Sequence, residues 1–282
     1  MEKRRIRSEE FTLVKKQRSG LCIYRGKDTY LRIGPPELVS LYVNSHSAFE
    51  ELDIPVARIL HTGEDADEAY VVEESLGDKR FLELFEEDIK RQGKITPEHF
   101  AQFLEVVTVY LTKQIRSPER VRDEEAFAKA VHLELLCSEL PGHVEKIQTR
   151  FKEHAQKVSG YPYRFVHGDF NPANIFPRGI IDFEDIAVGP IGYDAVSAIE
   201  TQGWFPPNRE FEFYGRYQFS EEEKRRYYDA CEDVFVREHI PPLAPVREQL
   251  AFFRAIWLTV RMHHWPKLQK HRYDLFVSKY LS

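Results

Sequence analysis

The chain has 282 residues, 42 % of them hydrophobic and 13 % aromatic, which is enough for one large domain or two lobes around a shared cleft. Lysine and arginine number 40 against 46 aspartates and glutamates, and the net charge of −6 argues against a nucleic-acid partner or an anionic membrane. Three dispersed cysteines without a CxxC pair argue against a disulfide framework or a zinc site, and no apolar run reaches the roughly 20 residues of a membrane span. We therefore expect a cytoplasmic protein without a signal peptide.

Short β-rich runs separated by glycine-containing turns occupy the first third of the chain, a pattern that predicts an antiparallel meander. The charged run Lys3-Arg4-Arg5 ahead of them is interpreted as a frayed terminus. Pro35-Pro36 ends the meander, and apolar residues at helical spacing then predict one helix over about 37–52. Strands are predicted at 11–14, 21–24, 29–33, 59–60 and 70–72.

The β alternation then stops, and Glu73 through Gly77 is interpreted as a connector to a mainly helical remainder. Thr96-Pro97 is a typical helix start, because a hydroxyl caps the helix before a first-turn proline. Apolar stripes at helical spacing, such as the one from Leu250 to Val260, are interpreted as core. The sequence therefore predicts an α+β fold in two lobes. A small antiparallel β-sheet lobe with one helix covers residues 1–76, and a larger, mainly helical lobe covers residues 77–282.

One polar segment departs from this helical background. The stretch from His167 to Asn174 lies between two apolar pairs, and Asp182 follows after a tight turn. We expect a β-hairpin whose strand ends present Asp169, Asn174 and Asp182 at one edge. Phosphoryl transfer needs a carboxylate that accepts the proton of the attacking hydroxyl, and it needs carboxylate and amide oxygens that bind Mg²⁺. The three residues offer that set in that order.

The motif His167-Gly168-Asp169-x-x-x-x-Asn174 resembles the catalytic loop of the aminoglycoside phosphotransferase and choline kinase-like family, which shares the protein-kinase fold. Residues 181–185, Ile-Asp-Phe-Glu-Asp, are similar to the metal-binding segment of that family, and residues 189–194 continue its pattern. The resemblance implies a bilobal protein-kinase-like fold. It also implies a small-molecule kinase with Mg²⁺ as cofactor and ATP as phosphate donor, GTP not being excluded.

The resemblance also implies a role for each polar residue of the motif. Asp169 would be the catalytic base, while Asn174 and Asp182 would hold Mg²⁺. Asp194 would be a buried anchor that is hydrogen-bonded to the catalytic loop. We expect His167 to brace the loop by hydrogen bonds rather than to take part in the chemistry.

The match weakens in the region that would bind the nucleotide. Arg32 stands on a predicted strand where kinases carry an ATP-binding lysine, and its fork of donors can also clamp phosphates. Kinases pair that residue with a glutamate in the middle of the following helix. No acidic residue lies between Leu38 and Phe49, so Glu37 is the nearest candidate partner.

The chain has no Gly-x-Gly-x-x-Gly loop. The turn Arg18-Ser19-Gly20 would cover the phosphates, with backbone N–H groups and the Ser19 hydroxyl as donors. Any hairpin turn would look similar. Glu73 and Ser75 lie in the predicted connector, whose backbone would bind the adenine, and side chains there do not separate ATP from GTP.

The segment 200–218 is rich in aromatic residues and prolines and could line the acceptor pocket. Trp204 with Glu200 would suit a sugar ring or an amine, although a loop packed on the helices is an alternative. Glu184 could assist the metal or the substrate, or it could be an exposed carboxylate at a strand end. His263-His264 is not spaced for metal chelation, so we expect no zinc site there.

Three functions fit these observations. The leading hypothesis is an ATP-dependent phosphotransferase, monomeric or homodimeric, that acts on a hydroxyl of an aminoglycoside, sugar, amino alcohol or similar metabolite. The alternative is a pseudokinase-type nucleotide-binding or scaffold protein without turnover, which Arg32 and the missing mid-helix glutamate favour. The intact Asp169, Asn174 and Asp182 oppose it. A protein-serine/threonine kinase is the third option, but Asp194 follows Asp182 too soon for an activation segment.

Overall fold

The computed structural model describes residues 2–17, 19–211, 214–261 and 265–282. Arg18 of the predicted phosphate turn and the pair His263–His264 lie outside these described residues. The chain forms two compact units. The first comprises Met1–Arg80 with Phe176–Glu184, and the second comprises Phe81–Ile175 with Asp185–Ser282. These units differ from the predicted division at residue 76, because a segment from the later part of the chain belongs with the first unit.

A six-stranded antiparallel sheet makes up most of the described part of the first unit, and its strand order is β1-β2-β3-β4-β6-β5. One face carries a cluster of buried residues that includes Phe11, Tyr24 and Leu31. Apolar side chains alternate along each strand and so reach the same face. The strands are β1 (Lys3–Ile6), β2 (Glu9–Lys16), β3 (Cys22–Arg25), β4 (Thr29–Gly34), β5 (Ile59–Asp65) and β6 (Glu68–Glu74).

The interpretation of Lys3-Arg4-Arg5 as a frayed terminus is wrong. These residues form the edge strand β1, which pairs with β2 through Arg4 opposite Phe11. The Arg4 guanidinium also pairs with Asp65 at 3.1 Å and with Glu68 at 2.8 Å, at the turn between β5 and β6. Because β1 and β5 are the two edges in the strand order, this contact shows that the sheet curls. Charged side chains are typical of edge strands.

The interpretation of Glu73 as the start of a connector is also wrong, since β6 continues to Glu74. Tyr30 of β4 pairs with Glu73, and Thr29 pairs with Glu74. Residues 70–73 are all buried because the helix α1 (Pro36–Glu50) packs on β4 and β6. A strand covered on both faces does not show the alternation of a half-exposed one, and this is why the pattern stops early.

The helix α1 (Pro36–Glu50) lies where the sequence predicts one, with Pro36 in its first turn. Its buried stripe includes Phe49, whose ring centroid lies 5.1 Å from that of Phe183. The backbone N–H of Ile180 donates to the Pro55 carbonyl oxygen at 2.9 Å. These contacts attach residues 176–184 to the first unit.

The second unit contains the remaining helices. Thr96 caps α3 through its hydroxyl, which accepts a hydrogen bond from the His99 N–H, so the predicted helix start is confirmed. Within the described residues, no helix combines the length and apolar character needed to cross a membrane. The helices are α2 (Phe81–Gln92), α3 (Pro97–Arg116), α4 (Glu124–Ala130), α5 (Leu133–Glu139), α6 (Val144–Lys157), α7 (Tyr193–Glu200), α8 (Glu221–Arg237), α9 (Arg247–Val260) and α10 (Pro266–Tyr280).

Two short strand pairs surround the polar segment. β7 (Tyr163–Val166) leads into it and pairs with β10 (Ala187–Pro190), with Val166 opposite Ala187. β8 (Ile175–Phe176) and β9 (Gly179–Ile180) form a separate two-stranded hairpin. The strand before Asp169 therefore does not pair with the strand after Asn174. The polar segment is a loop, and the strand that leads into it, β7, is paired with β10.

Candidate active site

The carboxylate of Asp194 anchors the polar loop. Asp194 lies in the first turn of α7 and is fully buried. It accepts hydrogen bonds from the backbone N–H of His167 at 2.8 Å and of Gly168 at 3.2 Å. The hydroxyl of Tyr110 and the amide of Gln114, both on α3, donate to the same carboxylate. A buried charge is stable only when it is fully hydrogen-bonded, so these donors hold the loop and the anchor together.

Gly168 is required by the packing of the loop. Its φ is +81°, which side chains disfavour, and a Cβ atom would lie 2.0 Å from the Asp185 carbonyl oxygen. The neighbouring His167 is fully buried, and its Nδ1 accepts a hydrogen bond from the Asp169 N–H at 3.3 Å. The structure thus places the imidazole of His167 on the loop backbone.

The Asp169 carboxylate is held by three side chains. Its Oδ1 accepts from Asn171 Nδ2 at 2.8 Å and from Arg254 Nη2 at 2.6 Å. Its Oδ2 accepts from Asn174 Nδ2 at 3.1 Å. The side chain of Asp169 is 21 % exposed, so this carboxylate is fixed in orientation and still open to a ligand.

Asn174 turns its amide nitrogen toward Asp169, donating to both the carbonyl oxygen at 2.9 Å and Oδ2. Its Oδ1 takes no part in these bonds, and an amide oxygen is a ligand that Mg²⁺ accepts. Asp182 lies in the first unit with φ +73°, a conformation that aspartate tolerates better than most residues. The residue types and the orientation of the Asn174 amide therefore fit Mg²⁺.

The described residues contain no group of three or more His, Cys, Asp or Glu side chains that could hold a metal ion.

Arg254 on α9 contacts Asp169, and the sequence analysis did not identify it. Its side chain is fully buried, and it donates to the Gly168 carbonyl oxygen at 2.7 Å and to Thr201 Oγ1 as well as to Asp169. Burial lowers the pKa of Arg254, but Asp169 and Tyr193 outweigh burial and raise the pKa above its ordinary value. In the sequence Arg254 stands inside an apolar helical stripe, so no local signal marks it.

Arg32 has a buried partner that the sequence analysis did not expect. Its Nε donates to Glu73 Oε1 at 3.0 Å, and the Tyr42 hydroxyl donates to Glu73 Oε2. The guanidinium carbon lies 4.2 Å from the Tyr42 ring centroid. Burial lowers the pKa of Arg32, but Glu73, Tyr42 and Asp182 outweigh burial and raise it. The partner of Arg32 is therefore Glu73 and not the predicted Glu37. Glu73 lies on β6, the strand next to that of Arg32.

Ser19 and Ser75, which were also predicted to bind the nucleotide, form hydrogen bonds of their own within the chain. Exposed Ser19 donates to Gln17, whose amide donates to Glu184 Oε1 at 3.0 Å, so the structure brings Ser19 and Glu184 to one small cavity of about 100 Å³. The backbone N–H of Ser75 donates to the Asp28 carbonyl oxygen, and its hydroxyl donates to that of Gly77. Both donors of Ser75 are thus taken within the chain.

The structure does not bring Glu200 and Trp204 together at a cavity. Trp204 is 3 % exposed, and its carbonyl oxygen accepts a hydrogen bond from Arg272. Glu200 accepts a hydrogen bond from Tyr228 at 3.0 Å beside α8. Five described residues of the predicted acceptor segment line a different cavity, whose volume is about 540 Å³. Its described lining residues are Glu86, Ile89, Lys90, Pro207, Arg209, Tyr214, Gly215 and Arg216.

Comparison with protein families gives one clear match. The sequence model of the phosphotransferase enzyme family, APH, matches residues 21–232. This range includes the whole of the polar loop and its anchor at Asp194. It covers well over half of the chain.

A curated relative is the N-acetylmuramate/N-acetylglucosamine kinase of Neisseria meningitidis serogroup B, with 27 % identity over 182 residues. The match covers 58 % of this chain and 52 % of the relative, so the chain spans about half the length of that protein.

Solved structures of similar fold include the streptomycin–ATP ternary complex of APH(2")-IIa, with a TM-score of 0.59 and 11 % identity over 95 % of this chain and 91 % of that one. A thermostable mutant of aminoglycoside phosphotransferase APH(4)-Ia gives a TM-score of 0.60 and 10 % identity over 96 % and 95 % of the two chains. These likenesses confirm the predicted α+β, protein-kinase-like fold class.

Proposed function

Because the chain belongs to the phosphotransferase enzyme family, we propose that it is a small-molecule kinase, which transfers the γ-phosphoryl group of ATP to a hydroxyl group with Asp169 as base. The observation that carries this proposal is the Asp169 carboxylate, which is oriented by donors on both oxygens and yet is partly exposed. ATP as donor is supported by the related fold in the complex of APH(2")-IIa with streptomycin and ATP.

In the proposed step, the acceptor hydroxyl oxygen forms a bond to the γ-phosphorus atom. The bond from that phosphorus to the β,γ-bridging oxygen breaks, and ADP leaves with the electron pair. The proton of the hydroxyl passes to Asp169, which orients the hydroxyl before the attack. The peptide N–H groups at positions 167 and 168 are held by Asp194, so the carboxylate of Asp169 is presented from a rigid loop.

We further propose that Asn174 and Asp182 hold Mg²⁺, which on binding neutralises negative charge on the nucleotide phosphates. This is supported by the Asn174 amide, whose nitrogen is committed to Asp169 and whose oxygen is free of those bonds. The Mg²⁺ dependence of nucleotide binding tests this assignment. Asn174→Ala and Asp182→Ala should each weaken binding of Mg·ATP more than binding of metal-free ATP.

The acceptor is proposed to be a sugar or amino sugar. The Neisseria relative is named as a kinase of N-acetylmuramate and N-acetylglucosamine, and the cavity of about 540 Å³ has the volume of a small-molecule site. Leu82 donates to the Pro172 carbonyl oxygen of the catalytic loop, and Glu86 lies one turn, about 6 Å, further along α2. Since Trp204 is buried, the proposal assigns acceptor contacts to Glu86 and Arg216, which lie 3.4 Å apart.

The decisive experiment follows label from [γ-³²P]ATP into N-acetylglucosamine, N-acetylmuramate, streptomycin, hygromycin B and choline. The matched control is Asp169→Asn, which keeps the shape of the side chain and removes its charge. We expect a labelled acceptor with the wild type and almost none with the control. Binding of Mg·ATP without transfer to any hydroxyl would contradict the proposal.

That contrary outcome would favour the second candidate, a nucleotide-binding or scaffold protein of the pseudokinase type. One observation supports this candidate: Arg32 is 4 % exposed, and Glu73 and Tyr42 already occupy its surroundings. A protein that binds nucleotide without turnover would show equal background hydrolysis of ATP in the wild type and in Asp169→Asn.

A further inference from the structure

We propose that Arg254 is a positioning residue that fixes the Asp169 carboxylate so that its Oδ2, and not its Oδ1, receives the proton of the acceptor hydroxyl. The inference rests on the proposed function and deepens it. Arg254 lies 85 residues beyond Asp169 in the sequence, on α9.

The hydrogen bonds of Arg254 fix the orientation of its guanidinium group. Nη1 donates to the Gly168 carbonyl oxygen at 2.7 Å, Nη2 donates to Asp169 Oδ1 at 2.6 Å, and Nε donates to Thr201 Oγ1 at 3.2 Å. The planar guanidinium therefore donates to a backbone carbonyl and to the carboxylate of the loop at the same time. The guanidinium also stacks 4.1 Å from the centroid of Trp257.

A second arginine, Arg261, directly follows α9 and also lies over the Trp257 ring. The guanidinium carbon of Arg261 lies 4.4 Å from the Trp257 centroid, and its nitrogen pairs with Asp185 at 2.9 Å. Asp185 is the residue whose carbonyl oxygen packs against Gly168. Arg254 and Arg261 thus attach α9 and its C-terminal end to the loop region at two points.

The two oxygens of Asp169 consequently differ. Oδ1 accepts two donors, one from Arg254 and one from Asn171, and a carboxylate oxygen has two lone pairs to offer. Oδ2 accepts the Asn174 amide at 3.1 Å and retains capacity for a further donor. The hydroxyl of the acceptor is the donor that this oxygen would receive.

A buried arginine of the same unit serves as a matched control. Arg272 on α10 is 1 % exposed, and it donates to the carbonyl oxygens of Leu258 and Trp204. Burial, together with the charge of Arg254, lowers the pKa of Arg272 to about 9. These hydrogen bonds go to the backbone, so substitution of Arg272 should remove a buried arginine without releasing a donor from Asp169.

The experiment measures kcat and KM for ATP and for the acceptor in Arg254→Ala, Arg254→Lys and Arg272→Ala, with melting temperatures for each. We expect Arg254→Ala to lower kcat by about 10²-fold, the loss that a misplaced reacting group produces, with both KM values within about twofold of the wild type. Guanidinium at low, non-denaturing concentration should restore part of kcat in Arg254→Ala, and it should not do so in Arg272→Ala or Asp169→Asn. Arg254→Lys should retain an intermediate kcat.

Equal kcat losses in Arg254→Ala and Arg272→Ala, or a loss that appears only in KM, would overturn the inference. If Arg254→Ala does not fold, Arg254→Lys decides the matter, since an unchanged kcat in that variant contradicts a positioning role. An active wild type, an inactive Asp169→Asn and a fully active Arg254→Lys would refute the inference alone. Equal activity of wild type and Asp169→Asn would refute the proposed function itself.

Discussion

Each compact unit contains a buried arginine paired with a carboxylate. The two pairs differ in whether the carboxylate can still accept a further hydrogen bond. In the first unit, Arg32 and Tyr42 occupy both oxygens of Glu73, which is 2 % exposed. In the second, Arg254 occupies one oxygen of Asp169, whose side chain is 21 % exposed. The same kind of ion pair therefore has two uses. In the first unit both carboxylate oxygens are occupied and the pair is structural, whereas in the second the carboxylate is oriented and can still accept a ligand.

The comparison predicts the largest effect on activity at Asp169. We expect Asp169→Asn to lower kcat by about 10²–10⁴-fold, the usual contribution of a general base. Its free energy of unfolding should also fall, because the charge of the buried Arg254 loses its partner, but by less than in Glu73→Ala, since the amide keeps part of the hydrogen bonding. Phosphoryl transfer assays and urea denaturation of the same sample test both statements. A melting temperature that falls in parallel with activity would show that Asp169 is mainly structural.

The closed pair predicts the opposite pattern at Glu73. Glu73→Ala leaves Arg32 buried and unpaired, so we expect it to lower the free energy of unfolding by about 3–5 kcal/mol. The matched control is Glu74→Ala, because Glu74 pairs with Arg58 at the surface, where such pairs contribute about 0–1 kcal/mol. Urea denaturation measures both variants. Similar losses at the two positions would argue against a special role for the buried pair.

A smaller effect is expected from Tyr42→Phe. The substitution keeps the ring that stacks on Arg32 and removes only the hydroxyl that donates to Glu73. A hydrogen bond to a charged group contributes about 1.5–3 kcal/mol, so the unfolding free energy should fall by that amount. Denaturation curves for Tyr42→Phe and Tyr42→Ala separate the hydroxyl from the ring. An unchanged value for Tyr42→Phe would mean that Glu73 keeps its position without this donor.

The smallest effect is expected from Arg32→Lys, which introduces the residue that kinases carry at this position. An ammonium group can still reach Glu73, but it loses the planar stacking on Tyr42, so we expect a cost of about 1 kcal/mol. Thermal denaturation and the KM for ATP are the measurements. A rise in the KM for ATP with unchanged stability would show that the guanidinium fork itself binds nucleotide.

The position of the polar loop could be predicted from the sequence because its residues are close together in the chain. Asp169 and Asn174 lie within one short segment, and the motif that contains them resembles the catalytic loop of the phosphotransferase family. The Asp194 anchor lies only 25 residues further on and came with the resemblance to the family. The fold class followed from the change between β-rich and helical patterns along the chain.

The partners of the charged residues could not be predicted in the same way. Glu73 contacts Arg32 only because β4 and β6 are neighbours in the sheet, although 41 residues separate them in the chain. Arg254 stands among Leu250, Phe253 and Trp257, where helical spacing indicates nothing more than a core face. Pairings of this kind depend on which elements pack together, and the periodicity of one element does not contain that information.

The chain enters the first unit twice, and this limits how the protein can be divided. The N-H of Ile180 bonds to Pro55, and Phe176 packs with Ala57 and Leu76 in a small buried cluster. A fragment that ends at Arg80 would lack those partners and would expose apolar surface. The N-terminal segment that ends at Arg80 therefore cannot be moved into another protein as a complete folding unit. A chimaera with a relative, or a split-protein sensor, would also have to include residues 176–184.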